Sequence, residues 1–155
     1  MTLIEDRLNQ LGYTLPQPPE PAGNYLPANM SGNQLWLAGV GARMADGSRI
    51  AGKLGADLTI EQGYEAARWC ALNLLARIKA ELGNLDRVER FIKVVGFINS
   101  SADFEGQAKV LDGASDLFVE LYGESGMHSR SAPGMAALPG NIAVIVECVV
   151  EVKEA

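Results

Sequence analysis

The densest group of reactive side chains lies near the C-terminus, where Arg130 stands between Ser129 and Ser131, with His128, the one histidine of the chain, two positions before it. Small and apolar residues follow, Ala132-Pro133-Gly134-Met135, so the guanidinium has little charged company in sequence. An arginine stays protonated, so it either reaches solvent or meets an anion. Its planar fork suits a carboxylate through two parallel charge-assisted hydrogen bonds. On residue pattern alone the commoner outcome is a solvated or interface salt bridge, and both readings stand at this point. His128 titrates near neutral pH, and alternate residues of a strand share a face, so it can border whatever Arg130 lines. A lone turn histidine is the ordinary alternative. Ser129 and Ser131 lack a nucleophile-elbow pattern, and no base is evident beside them.

Other chemistries find less support. Cys70 sits in a helical pattern and Cys148 in a strand pattern, which suggests two buried, reduced thiols. With one histidine and two separated cysteines there is no metal-ligand spacing, and neither a metal nor a cofactor is expected. Gly39-Val40-Gly41 opens no helix and so is not a dinucleotide loop. The net charge of −6 and 13 scattered basic residues argue against nucleic acid as the main partner, because backbone binding needs clustered cations. No apolar run nears the ~20 residues that span a bilayer, and acids occupy the N-terminus where a signal peptide carries cations. A cytoplasmic, non-membrane protein is expected.

These side chains must be held by a recognisable set of elements. Residues 2–12 form a short amphipathic helix with Leu3, Ile4, Leu8 and Leu11 on one side and Gly12 as its stop, and the proline-rich run 16–21 is an extended connector. The expected division is therefore an appendage, 1–21, and a main α+β domain, 22–155. Within the latter, 24–30 and 34–42 predict a hairpin turning at Ser31-Gly32-Asn33, followed by a glycine-rich loop to Gly55 with a further short strand. Thr59 and Gln62 make a capping box for a long helix ended by Gly83. A strand over 87–98 and a second helix over 107–122 follow, and strands over 129–137 and 142–152 make a final hairpin with Arg130 near its start. Trp36 and Trp69 read as core or interface anchors. The order places two long helices on one face of a mixed sheet and leaves the other face for a partner subunit.

The segment 128–139, with Arg130-Ser131-Ala132 and Leu138-Pro139, and the strand residues Val146-Glu147 resemble the C-terminal signature of the Rid (reactive intermediate deaminase) family, also called the YjgF or L-PSP endoribonuclease family. Asn24-Tyr25, Gly32-Asn33 and Leu37-Ala38-Gly39 follow its N-terminal landmarks in order. Gly63-Tyr64-Glu65-Ala66-Ala67, Gly83-Asn84-Leu85-Asp86 and Gly113-Ala114-Ser115-Asp116 are similar to one branch of it, so the resemblance spans about 22–153. It implies a chorismate-mutase-like α+β fold, a homotrimer with clefts between subunits, and a small carboxylate-bearing metabolite as ligand. It further implies hydrolytic deamination of enamines or imines to 2-keto acids, with Arg130 as carboxylate clamp and Tyr25, Ala38 and Gly39 lining the site; His128 joins the expected site only on its spacing from Arg130. Two departures stand out. Ala38 replaces the family's serine, and Ile145 replaces a glutamate that helps place water, a role that Glu147 on the same strand face would have to assume. Non-catalytic carboxylate binding is the alternative, and an L-PSP-type ribonuclease the remaining one.

Overall fold

The computed structural model describes residues 3–154; Met1, Thr2 and Ala155, which fall within the expected helix and domain limits, lie outside them. Six strands form one mixed sheet in the order β1-β2-β6-β3-β4, with β5 also on β3. The strands are β1 (Ala28–Ser31), β2 (Gln34–Gly41), β3 (Val88–Asn99), β4 (Ser129–Ser131), β5 (Gly134–Met135) and β6 (Val144–Val152). The long helices α2 (Ile60–Leu82) and α3 (Gln107–Tyr122) pack on one face, giving the expected α+β architecture.

Local chemistry explains the boundaries. The Thr59 side chain accepts from the Gln62 amide while the Gln62 side chain accepts from the Thr59 amide, so two orphan donors of α2 are satisfied reciprocally. Strand β6 alternates: Val144, Val146, Cys148, Val150 and Val152 enter the core beneath the helices, while Ile145, Glu147 and Glu151 are half-buried on the other face, where Val149 is buried as well. Helices α2 and α3 approach closely because Gly113 has no side chain, as a Cβ there would lie 1.9 Å from the Tyr64 carbonyl oxygen. Both cysteines are buried and free, and burial pushes their thiols well above the ordinary range.

An N-terminal helix, α1 (Leu3–Gln10), docks on this body. Ile4 and Leu8 join the core, the amides of Leu3 and Ile4 donate to the Asp86 carboxylate, and Arg7 donates to the Leu121 carbonyl. Leu3 and Leu11, expected on the buried side, are exposed: with eight residues the helix offers one narrow stripe, and Ile4 and Leu8 fill it. Trp36 is also exposed, at 52%, on the sheet face away from the helices.

Three expected strands change. The first begins at Ala28, since Pro27 has no amide to donate to a ladder. The loop after β2 holds only isolated bridges, such as Arg43 with Arg49 and Ala51 with Ile142, and no further strand. The expected terminal hairpin is absent. Pro133 interrupts 129–137 into β4 and β5, which run parallel to β3 at the sheet edge, while β6 lies between β2 and β3. Leu138-Pro139-Gly140 turns the chain away from the edge, with Gly140 and Asn141 at positive φ.

Candidate functional site

Strand β4 is three residues long, and its parallel register with β3 decides where Arg130 points. Arg130 pairs with Val94, which also pairs with Cys148 on β6; this row faces the helices. Ser131 pairs with Val95, which pairs with Glu147, and that row faces the other way. Arg130 and Glu147 therefore stand on opposite faces of the sheet, and within one chain they do not meet over one ligand.

The guanidinium lies against α3. Its Nη2 makes an ion pair with Asp112 Oδ1 at 2.9 Å and donates to the Ala108 carbonyl at 3.3 Å, while Nη1 donates to Ser115 Oγ at 3.0 Å. The salt bridge that the residue pattern alone favoured is thus present, with an acid of the same chain. Both partners keep solvent contact, at 27% for Arg130 and 45% for Asp112, so the pair is worth no more than about 1 kcal/mol. Two guanidinium N–H groups donate hydrogen bonds, to Ser115 and Ala108, and the Asp112 carboxylate lies beside Nη2 as a charge partner.

His128 joins the same cluster. Its Nδ1 lies 2.7 Å from the Gly126 carbonyl and its Nε2 lies 2.9 Å from Ser115 Oγ. The ring sits edge-on to Phe118, with centroids 6.0 Å apart, which fixes its plane. Burial holds its pKa below the ordinary 6.5, and the Arg130 charge adds to that effect against the Gly126 carbonyl. On the far side of the group the Tyr64 hydroxyl donates to Asp116 at 2.8 Å, and that bond pushes the phenol up to about 12.

Arg130, His128 and Ser115 line a cavity of about 570 Å³, walled also by Val119, Met127 and three acids, Asp112, Asp116 and Glu120. Against one cation, those acids make the cavity net negative. It can hold a molecule carrying a cation beside a hydrogen-bond acceptor, and it presents a hydroxyl paired with an imidazole.

The remaining expected residues gather elsewhere. Tyr25, Ala38, Gly39 and Ile145 line a second cavity of about 260 Å³ with Arg43 and Arg49. Ala38 and Gly39 lie in a β-bulge, since three steps on β2, Leu37 to Val40, match two on β6. A Cβ on Gly39 would lie 2.8 Å from Ile145 Cγ2, so the glycine leaves room for that isoleucine. The Tyr25 hydroxyl accepts from the Ala22 amide at 3.2 Å, and the ring is 52% exposed. Glu147 lines neither cavity. The loop 43–57 is tied down: Asn99 Nδ2 donates to the Gly52 carbonyl at 3.2 Å, and the Leu54 amide donates to the Asn99 carbonyl at 2.8 Å.

Asp112 and Ser115, which line the cavity with Arg130, do not stand out as site residues in the sequence, and no nucleophile–base pair is evident there. The signal was their spacing. Ala108, Asp112, Ser115 and Val119 form one stripe at i, i+4, i+7 and i+11 along α3, flanking its apolar stripe, but only the parallel seating of β4 shows what that stripe meets.

Residues 5–152 match the profile of the family described as "YjgF/chorismate mutase-like, putative endoribonuclease". Protein TCP17 of Trypanosoma cruzi is 44% identical over 151 residues, which cover 97% of this chain and 94% of that protein. An Agrobacterium tumefaciens crystal structure of unknown function superposes with a TM-score of 0.88 at 41% identity, covering 97% of this chain and 92% of that one. The crystal structure of a "putative endoribonuclease" from Shewanella oneidensis gives 0.94 at 35% identity, covering 97% and 100%.

Proposed function

Because this chain belongs to the YjgF/chorismate-mutase-like family, we propose that it binds a small carboxylate-bearing metabolite beside Arg130 and hydrolyses imine or enamine intermediates to a 2-keto acid and ammonia. The observation that carries the reading is the Arg130 guanidinium on the wall of the larger cavity, partly open to solvent, with its ion-pair partner Asp112 half in solvent. An imine derived from an amino acid carries a carboxylate and, when protonated, a cation. The first suits the arginine fork, and the second suits the acids Asp116 and Glu120 on the same wall. Water attack on an iminium carbon requires an anchored substrate and a proton acceptor more than a protein nucleophile. Neutral His128 borders the place where that proton would go.

In this reading the protein works as a homotrimer. The uncovered sheet face, which carries exposed Trp36 and, further along the strands, half-buried Phe97 and Ile145, is then buried between copies, and the Tyr25 cavity of one subunit is brought toward a neighbour. Light scattering giving a monomer at micromolar concentration would remove this part. A second reading, carboxylate binding without turnover, is favoured by Ile145 and Ala38, where the family's carboxylate and hydroxyl are missing. Ribonuclease action draws least support from a chain of net charge −6.

A coupled assay decides between them. The imine 2-aminoacrylate is generated in solution, and the decay of its absorbance is followed with and without protein. Acceleration that is lost in Arg130→Ala supports the proposal. Thermal stabilisation by pyruvate that needs Arg130, with no acceleration, selects the binding reading, and neither effect in folded protein removes both.

A further inference from the structure

Donor and acceptor roles at His128 fix the state of Ser115. The Gly126 carbonyl can only accept, so the ring nitrogen 2.7 Å away, Nδ1, carries the hydrogen. In the neutral imidazole Nε2 is then a bare acceptor, and Ser115 Oγ, 2.9 Å away, donates to it. Arg130 Nη1 donates to the same oxygen from 3.0 Å. The hydroxyl thus has its proton aimed at a base and its oxygen held by a cation, and all three side chains open on the 570 Å³ cavity. A serine placed only to fill out α3 would more simply bond a carbonyl of the preceding turn.

We propose that Ser115 is a nucleophile with His128 as its general base, and that this cavity hydrolyses small acyl esters that are neutral or positively charged. The activity goes beyond imine hydrolysis and employs a hydroxyl which that reaction leaves idle. Val119 and Met127 offer an apolar wall for the acyl group, while Asp112, Asp116 and Glu120 repel anionic esters. The dyad has the logic of activated-serine catalysis, with a backbone carbonyl in the orienting place usually held by a carboxylate.

The step balances without a further reactant. As Oγ bonds to the acyl carbon, its proton passes to Nε2, and the carbonyl electrons move onto oxygen beside the Arg130 guanidinium. Collapse breaks the ester C–O bond, the departing alcohol takes the proton from Nε2, and Ser115 is left acylated. Water then adds to the acyl carbon, giving its proton to Nε2. The Oγ–C bond breaks, Ser115 regains its proton, and the acid leaves; ester and water become acid and alcohol.

The test treats the full chain with a neutral alkyl fluorophosphonate, followed by intact mass and peptide mapping, and measures p-nitrophenyl acetate hydrolysis beside that of an ester bearing a carboxylate. The expected result is one adduct per chain on Ser115, formed faster as pH rises and levelling by about neutrality, and absent in Ser115→Ala. His128→Gln slows labelling at least ~100-fold, within the usual range for loss of a general base. Ser129→Ala labels normally, and the neutral ester is preferred. If Ser115→Ala fails to fold, the mapped position in wild type decides alone. No adduct in the wild type, or an adduct on another residue, overturns the assignment. The imine assay on wild type is a separate readout, so turnover there with unlabelled Ser115 sinks this inference and leaves the proposed function standing.

Discussion

Arg130 serves as a carboxylate clamp only if an incoming acid can displace or join Asp112, so Asp112→Asn is the informative change. The native pair is 2.9 Å long but open to water, with Asp112 45% exposed. Exposed pairs of this type are worth about 0.2–1 kcal/mol, which bounds the loss of stability. The same interaction is what a bound carboxylate must overcome. Removing it therefore tightens carboxylate binding by about 1.5- to 5-fold, at roughly 1.4 kcal/mol per factor of ten. Asparagine keeps the shape while removing the charge, and the hydrogen bonds to Ser115 and Ala108 keep the guanidinium seated. Titration calorimetry with pyruvate, on wild type and variant at 0.15 M salt, measures the ratio directly. Equal affinities, or binding lost in the variant, would refute the clamp, because an acid at this guanidinium feels the Asp112 charge whether it displaces that carboxylate or sits beside it.

Gly113→Ala gains up to about 1 kcal/mol of helix propensity but sets a Cβ 1.9 Å from a backbone oxygen that cannot rotate away, an overpacking cost of about 1–3 kcal/mol or more. The net is destabilisation, read as a Tm several degrees lower; an unchanged Tm contradicts the close crossing of α2 and α3. Thr59→Ala removes one half of the capping box and costs about 1 kcal/mol, or roughly 2–4 °C in a chain of this size, by thermal unfolding. The folded-state pKa of His128 is held below 6.5, so folding disfavours its protonation. Its contribution is whole above pH 6.5 and is lost as pH falls from there through the lower folded value. It is the one histidine, so the extra loss of Tm between pH 7.5 and 5.5 in wild type, compared with His128→Gln, reports it; parallel curves would mean the ring is not strained toward neutrality.

Helix α3 was legible to the residue, because Val110, Leu111, Ala114, Leu117, Phe118 and Leu121 recur at helical spacing and Gly123 ends them. Helix α2 was equally clear from Thr59 and Gln62. The edge of the sheet was not. Adjacent β-like segments suggest a hairpin, and nothing in 129–152 says that β6 takes the centre of the sheet while β4 runs parallel to β3. The site shared that blindness. Arg130 and His128 were visible as residue types, but their partners Asp112 and Ser115 come from a helix 13 to 18 positions earlier and meet them only through the parallel seating. The expectation that Arg130 and Glu147 act together came from a resemblance that carries no face information; the strand register puts one row toward the helices and the other away.

The central claim, that a small acid binds at Arg130, is tested most directly by nitrogen-detected magnetic resonance of the arginine side chains during a pyruvate titration. A saturable shift of the Arg130 Nε signal is expected, absent in Arg130→Lys, with Arg43 and Arg49 unmoved. Shifts confined to Arg43 and Arg49, on the wall of the second cavity, or no shift at Arg130 at saturating pyruvate, would contradict it.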